Sequence, residues 1–346
     1  MKKYLLPERG NYYKANLHMH TNVSDGKYTP EEVKRLYMEK GYSVVAYTDH
    51  EVLLPHPELT DENFVAITSF EIHQSQGIPL PYAFKRCYHL NLYAKDPKRD
   101  FSEVWTRKGY WHDRWDQYVS EAQKEIGEGS VPRVYEGFNE IIKKANEEGF
   151  LVCYNHPCWS LQNYTDYSIL EGLWATEIYN HSSFTEGYED NDQHFDDMIK
   201  AGKDIYPVAA DDAHGDIDMF GGWVMIKSEA LEYGKIMEAL ERGDFYASTG
   251  PEIKELYVED GVLHVSTSEA REIFVKTDRR ATLTKLSSGG ELFTSAEFDL
   301  KPYIEASLNC KEKADGCFIR VIVYDKAGKK AHTAAYRLKD FIDACL

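Results

Sequence analysis

Short apolar segments that end in histidines or carboxylates recur through the first 250 residues, and amphipathic helical stretches separate them. Seven such segments have the pattern of β-strands, at residues 13–18, 43–49, 64–71, 87–93, 150–156, 173–179 and 205–211. Strand–helix alternation of this kind predicts a parallel sheet, either open or closed into a barrel. We therefore expect an α/β fold over residues 1–250.

The clearest helix signal follows the first strand. Thr29 can cap a helix, Pro30 suits the first helical position, and Glu32 completes a capping box. Gly41 is well placed to end that helix. Similar patterns predict helices at residues 136–148 and 196–200, which end before Gly149 and Gly202.

Residues 95–135 interrupt the alternation with an insert rich in charged and aromatic side chains. It contains Trp105, Tyr110, Trp111, Trp115 and Tyr118. We expect a helical cap over one end of the barrel, or a lid with aromatic walls that recognises substrate. The two interpretations are compatible.

The pattern changes near Gly250-Pro251, where short alternating strands with closely spaced turn signals begin. Residues 251–346 are therefore predicted to form a separate all-β domain with the size of an immunoglobulin-like sandwich. No catalytic constellation is visible in it.

The chain is acidic, with 58 Asp and Glu against 40 Lys and Arg and a formal net charge of −18 over 346 residues. This excess of negative charge argues against long nucleic acids and membrane surfaces as partners, because both bind positively charged protein surfaces. No segment has the length of a membrane span, and no signal peptide is visible, so we expect a cytoplasmic protein. The oligomeric state is left open.

The six cysteines form no CxxC motif, so free reduced thiols are expected. One pair stays open as a disulfide, because Cys310 and Cys317 flank an Asp315-Gly316 turn and could face each other across a hairpin.

Histidines and carboxylates stand at or beyond the ends of most predicted strands, and His89 lies within the fourth. Because such ends converge on one face of a parallel barrel, we expect these side chains to meet there. Imidazole and carboxylate suit zinc, manganese or iron, and the lack of thiolates argues against a structural zinc site. The residues of this kind are His18, His20, Asp25, Asp49, His50, Glu71, His73, His89, His156, Glu177, Asp211, Asp212 and His214.

These motifs, in this order, resemble the PHP (polymerase and histidinol phosphatase) superfamily of metallohydrolases over about residues 12–215. The resemblance implies a distorted (β/α)7 TIM-like barrel with two or three divalent metal ions. It assigns His18, His20, Glu71 and Asp212 to the first ion. Glu71 would bridge to a second ion bound by His89 and His156, and a third would be bound by Asp25, His50 and His214.

The later layout, with Gly221-Gly222-Trp223 and then Ala331-His332-Thr333, is similar to the CehA/McbA branch, whose named members hydrolyse a carbamate ester. That branch's usual ending is only partly present. Asp211 also departs from the usual serine, and we expect it to alter metal affinity or contact a ligand.

Several other residues receive weaker predictions. Asp49 is expected to orient an imidazole, while Glu177, Asn180 and His73 are candidate pocket residues. His214 or Glu177 is the candidate donor of the leaving-group proton. The remaining predictions concern the surface or pocket rim (His56, His112, His181, His194) and contacts to substrate phosphate (Lys85, Arg86).

Three functions follow, in order of preference. The first is a metal-dependent phosphoesterase that hydrolyses a small anionic phosphate ester, such as a nucleotide, with a metal-bridging hydroxide as nucleophile. The second is hydrolysis of a carboxylic or carbamate ester at the same centre. The third is a non-catalytic binding protein whose β domain recognises carbohydrate or protein while the barrel is vestigial.

Overall fold

The computed structural model describes residues 2–107, 113–188, 191–309 and 316–345. The strands are β1 (Lys2–Tyr4), β2 (Asn11–Asn16), β3 (Val44–Tyr47), β4 (Val65–Ser75), β5 (Cys87–Ala94), β6 (Phe150–Tyr154), β7 (Ala175–Asn180), β8 (Tyr206–Ala210), β9 (Trp223–Ser228), β10 (Phe245–Ser248), β11 (Ile253–Glu259), β12 (Val262–Ala270), β13 (Glu272–Thr277), β14 (Leu283–Leu286), β15 (Phe293–Asp299), β16 (Phe318–Tyr324), β17 (Lys330–Thr333) and β18 (Tyr336–Arg337). The α-helices are α1 (Pro30–Glu39), α2 (Glu121–Ile126), α3 (Phe138–Glu147), α4 (Tyr164–Tyr167), α5 (His181–Thr185), α6 (Gln193–Lys200), α7 (Tyr233–Arg242) and α8 (Lys301–Leu308).

All seven predicted strands form, as β2 to β8, and they lie side by side in chain order within one 14-stranded sheet. Four of the six pairings are parallel, but β5 runs antiparallel to both β4 and β6. The all-parallel prediction is therefore wrong at β5. The reason is the connection after β4, which contains no crossover helix and so returns the chain antiparallel.

The sheet does not close into the predicted barrel through a continuous ladder. The edge of β2 that faces away from β3 pairs with β9. The segments that follow β2 and β8 still meet, through a parallel bridge between Met19 and Ala213. The Asp212 N–H donates to the His18 carbonyl at 2.9 Å, and the His20 N–H donates to the Ala213 carbonyl at 3.1 Å. Closure is therefore local, at the edge that carries the candidate ligands.

The C-terminal third contains two layers, but one of them continues the main sheet. From β9 the sheet extends through β10, β17, β16, β13 and β14, while β1, β11, β12 and β15 form a second sheet. A second hydrophobic core includes Leu256, Val265, Val275 and Val321. The all-β prediction for this region missed α8, whose Tyr303 packs into that core. The immunoglobulin-like arrangement and the boundary at residue 250 remain predictions.

Helix α1 forms as predicted. The Thr29 side chain accepts from the Glu32 N–H, and the Glu32 carboxylate accepts in return from the Thr29 N–H. In the described part of the insert, a 3-10 helix at Asp113–Tyr118 precedes α2, and its role as a cap or a lid stays a prediction. No helix in the described ranges is long and apolar enough to cross a membrane.

Candidate metal centre

The nine predicted ligands converge at the edge where the parallel strands of the main sheet end. Antiparallel β5 begins at this edge, and its His89 pairs in register with His73 of β4. The direction of β5 therefore explains why His89 lies near the start of its strand. The described side chains include four groups whose donor atoms lie close enough to hold an ion: His20, Asp25, His50 and His214; His18, His156 and Glu177; His18, His20 and Glu71; His50, Glu71 and His89.

Glu71 lies at the centre of the cluster and is 1% exposed. Its Oε1 lies 3.0 Å from Nδ1 of His89, and 3.4 Å from Nε2 of both His18 and His156. Its Oε2 lies 3.0 Å from Nδ1 of His50. One carboxylate thus faces imidazoles that come from four different segments of the chain.

Asp212 joins the first histidine pair. Its Oδ1 lies 3.1 Å from Nε2 of His18 and 3.0 Å from Nε2 of His20. The two imidazole nitrogens are themselves 3.1 Å apart. Donor atoms bound about 2.0–2.2 Å from one ion would be separated by roughly 3.0–3.5 Å. The spacing of these buried atoms therefore fits a shared divalent ion.

The other ring nitrogen of His20, Nδ1, faces the predicted group of Asp25, His50 and His214. This nitrogen is buried without a hydrogen-bond partner in the part of the chain that is described, 3.7 Å from Oδ1 of Asp25. Asp25 also lies 3.7 Å from Nε2 of His50 and 3.5 Å from Nε2 of His214. This group is more open, since Asp25 and His214 are both about one-third exposed.

Imidazoles keep the carboxylates of the cluster ionised. Burial raises the pKa of Glu71, but His89, His18 and His50 outweigh burial and bring that pKa well below 4.5. Asp212 behaves in the same way, since burial opposes ionisation while the charge of His18 lowers its pKa. Ionised carboxylates beside imidazoles are a donor set for zinc, manganese or iron.

The histidines differ in protonation. Burial, together with the nearby His214 and His50, lowers the pKa of His20 to about 3, so its nitrogens are neutral at pH 7. For His18, burial acts to lower the pKa, but the surrounding carboxylates, above all Asp212, outweigh burial. The pKa of His18 therefore lies well above 6.5. A metal ion would displace the proton of His18, because ligand nitrogens must be deprotonated.

Glu177 contacts the side of the His18 ring that faces away from Glu71 and Asp212. Its Oε1 lies 2.7 Å from Nδ1 of His18, and its Oε2 accepts from the His156 N–H at 3.0 Å. The Asn180 amide donates to Glu177 at 2.9 Å and to Asp212 at 3.1 Å. The Glu177 side chain is fully buried, so its contacts suit orientation of a ligand better than the predicted proton transfer.

The predicted extra carboxylate at Asp211 has a clear structural role. It accepts from the Phe220, Gly221 and Gly222 N–H groups at 2.8, 2.8 and 3.0 Å, and from the Tyr37 hydroxyl at 2.8 Å. These bonds secure the loop that starts after Asp212 and carries His214, so Asp211 acts on the site through the backbone.

Three non-glycine residues at the site have a left-handed backbone: Glu51 at φ 54°, His156 at φ 23° and Asp212 at φ 53°. Such residues persist only where their surroundings hold them. The insert supplies this support for Glu51. Arg133 donates to both carboxylate oxygens, at 2.7 and 3.0 Å, and the Trp105 indole donates to the Glu51 carbonyl at 2.8 Å.

Some predicted positions have other roles. Asp49 does not orient an imidazole through a hydrogen bond but accepts from Thr21 and Ser24 at 2.7–3.1 Å. Arg86 donates to Asp166 at 3.2 Å, so the predicted phosphate contact is unsupported, and Lys85 is not among the residues that line the main cavity. His56 and His194 are buried and so do not lie at the surface, but His194 lines the small cavity beside the site.

The remaining predicted residues either have a defined location or lie outside the described residues. His73 is buried, with its ring 5.5 Å from that of His89, and His181 is half-buried. Five cysteines are free, namely Cys87, Cys153, Cys158, Cys317 and Cys345. The predicted pairing of Cys310 with Cys317 lies outside the described residues, as do the predictions for Tyr110, Trp111 and His112.

A cavity of about 460 Å³ opens over the cluster. Asp25, His50, Glu71 and other ligands form its floor. Sequence reasoning missed its walls, which include Tyr82, Trp159, Ser182, Thr185, Glu186, Ile217 and Asp218. A second cavity of about 30 Å³ lies beside it and is lined by Glu177 and His194.

No family model matches the sequence, and no curated protein matches it. Among solved structures, a two-domain protein from Bacteroides vulgatus that contains a predicted PHP-like metal-dependent phosphoesterase is similar. It is 13% identical, covers 96% of this chain and 98% of its own, and has a TM-score of 0.45.

Two further solved structures are similar over a smaller part of the chain. A candidate metal-dependent phosphoesterase from Bifidobacterium adolescentis is 17% identical and covers 61% of this chain and 89% of its own, with a TM-score of 0.38. An amidohydrolase from Chromobacterium violaceum, with bound sulfate and no metal, is 14% identical and covers 58% and 87%, with a TM-score of 0.37. All three TM-scores lie below 0.5.

Proposed function

We propose that the chain is a metal-dependent phosphoesterase of the PHP superfamily that hydrolyses a small phosphate ester. The observation that carries the proposal is the convergence of all nine predicted ligands around Glu71. Six imidazoles and three carboxylates, most of them buried, meet in one cluster, and packing alone does not offset the free-energy cost of burying polar and charged groups. A set of divalent cations accounts for their placement.

His18, His20, Glu71 and Asp212 would hold one ion, and the Asp25, His50 and His214 group would hold another. His89 and His156 extend the set on the far side of Glu71. Two or three ions are compatible with these groups. When bound, divalent ions lower the pKa of a coordinated water toward neutrality and stabilise charge on phosphoryl oxygens.

In the proposed hydrolysis, the ester P–O bond breaks, a new P–O bond forms to the oxygen of water, and the leaving alcohol gains a proton. Glu177 holds the His18 ring so that Nε2 faces the cluster. The ring of His214 donates from Nδ1 to the Asp212 carbonyl at 2.9 Å, which leaves Nε2 facing Asp25. We therefore assign His214 as a metal ligand and propose that solvent in the open cavity donates the proton to the leaving group.

The test is phosphate release from a panel of phosphate monoesters by protein loaded separately with Zn²⁺, Mn²⁺ or Fe²⁺. We expect at least one metal to support turnover, a chelator to abolish it, and His20→Ala to lose it. Phe84→Ala is the matched control, since Phe84 lies at the surface outside the cavity lining. Metal-loaded protein that releases no phosphate from any ester would overturn the proposal.

A second candidate is hydrolysis of an uncharged carboxylic or carbamate ester. It is favoured by the cavity walls, where the described lining includes aromatic and aliphatic side chains but no Lys or Arg. Turnover of aryl acetates or carbamates without phosphate release would select this candidate. Both candidates use the same cluster.

A further inference from the structure

Three large apolar side chains from separate parts of the chain line the wall of the main cavity. Tyr82 precedes β5, Trp159 follows β6, and Ile217 follows β8. Tyr82 is 46% exposed and Ile217 is 75% exposed. Single exposed apolar residues are common, but their convergence on one concave site indicates contact with a ligand.

Trp159 fixes the position of this apolar wall relative to the metal ligands. Its ring centroid lies 5.6 Å from that of His89 and 5.2 Å from that of His156, with nearly perpendicular planes. The indole N–H donates to Glu186 at 2.9 Å, which holds the ring in place. The organic group of an ester bound at the cluster would therefore lie against an aromatic surface.

The charged residues of the wall are acidic. Apart from the candidate ligands, the charged side chains in the described lining are Glu186 and Asp218. Asp218 is held by the His214 N–H and the Thr185 hydroxyl, each at 3.3 Å. Two carboxylates beside an apolar wall repel a second anionic group on the substrate, while the reacting group faces the cationic centre.

The geometry points to a substrate class: phosphate monoesters of an apolar alcohol that contains one ring and carries no second anionic group. This inference rests on the proposed function, and it places nucleoside polyphosphates and bisphosphates among the poor substrates. The wall formed by Tyr82, Trp159 and Ile217 selects the ring, and Glu186 with Asp218 rejects the additional anion.

Matched ligands separate the two parts of this inference. We would compare metal-loaded protein on 4-carbamoylphenyl phosphate and 4-carboxyphenyl phosphate, which differ by one charge. Calorimetric binding of benzylphosphonate, 4-carboxybenzylphosphonate and methylphosphonate gives a readout that needs no turnover. We expect benzylphosphonate to bind about tenfold more tightly than methylphosphonate. The carboxylate should weaken binding at least about fivefold.

Variants then assign each effect to the wall. Tyr82→Ala should weaken benzylphosphonate binding about tenfold, while Phe84→Ala, on the same 3-10 turn but outside the lining, should leave it unchanged. Glu186→Gln should reduce the discrimination against 4-carboxybenzylphosphonate. Asp216→Asn removes a neighbouring charge outside the lining and is the control.

The outcomes distinguish this inference from the proposed function. Equal or tighter binding of the carboxylated ligand, or equal effects of Tyr82→Ala and Phe84→Ala, would overturn the substrate class even if phosphate is released. Phosphonate binding with the expected preferences but without any phosphate release would support the cavity assignment and reject the phosphoesterase.

Discussion

Glu177 places Oε1 2.7 Å from Nδ1 of His18, and both side chains are fully buried. The contact fixes the ring so that its Nε2 points at Glu71 and Asp212. A carboxylate that orients a metal-binding histidine contributes to affinity without touching the ion.

Glu177→Gln tests this positioning role. The substitution keeps a side chain of similar shape but removes the charge that stabilises the His18 ring in this orientation. We expect the affinity for Zn²⁺ to fall about 10- to 100-fold. Competition titration with a chromogenic chelator measures the affinity. An unchanged affinity would contradict the role.

The Arg133–Glu51 pair predicts a stability effect. The pair is nearly inaccessible, with side-chain exposures of 4% and 0%, and Arg133 also donates to the carbonyls of His73 and Val104. Arg133→Met leaves the buried Glu51 carboxylate without a cationic partner and with the His73 N–H as a remaining donor, which costs about 3–5 kcal/mol of unfolding free energy. Urea unfolding measures the loss.

Arg35→Met is the matched control. Arg35 and Glu39 form an ion pair across one turn of α1, but each side chain is about 60% exposed. Exposed pairs contribute about 0–1 kcal/mol. If the two substitutions cost the same free energy, the insert is not anchored through Arg133.

His194 predicts a decline in stability at acidic pH. Burial lowers the pKa of this imidazole from 6.5 to about 4, and its Nε2 donates to the Glu177 carbonyl at 2.9 Å. Between pH 6.5 and 4 the unfolded chain binds the proton and the folded chain does not. The folded state therefore loses up to about 3 kcal/mol from this group as the pH falls, with no further loss below pH 4.

The measurement is the unfolding free energy of the wild type and of His194→Gln at pH 7.5 and pH 4.5. The wild type should lose more stability than the variant between these values, because only it has this titrating group. Equal losses would show that His194 is not the group responsible.

The sequence predicts which strand ends carry histidines and carboxylates because that placement depends on local features, and the resemblance to the PHP superfamily selects the nine ligands among them. Alternating apolar strands give the strand ends, and the histidines and carboxylates stand at most of those ends. The capping box at Thr29 and Glu32 is equally local and forms as expected. Such signals require no knowledge of which strands are neighbours.

Relations between distant segments escaped prediction. The direction of β5 depends on pairing with β4 and β6, and Arg133 meets Glu51 across 82 residues. Helix α8 did carry a local signal, a proline in its first turn at Pro302, but the surrounding strand pattern obscured it. The apolar wall was not predicted because Tyr82, Trp159 and Ile217 share no motif.

The central claim is that the cluster around Glu71 is a centre of two or three divalent ions. The direct measurement is elemental analysis of protein incubated with Zn²⁺, Mn²⁺ or Fe²⁺ and then freed of excess metal by gel filtration. Glu71→Ala is measured alongside, since Glu71 contacts donors in several groups. We expect two to three ions per chain in the wild type and fewer in Glu71→Ala, whereas fewer than two ions per chain with every metal would contradict the claim.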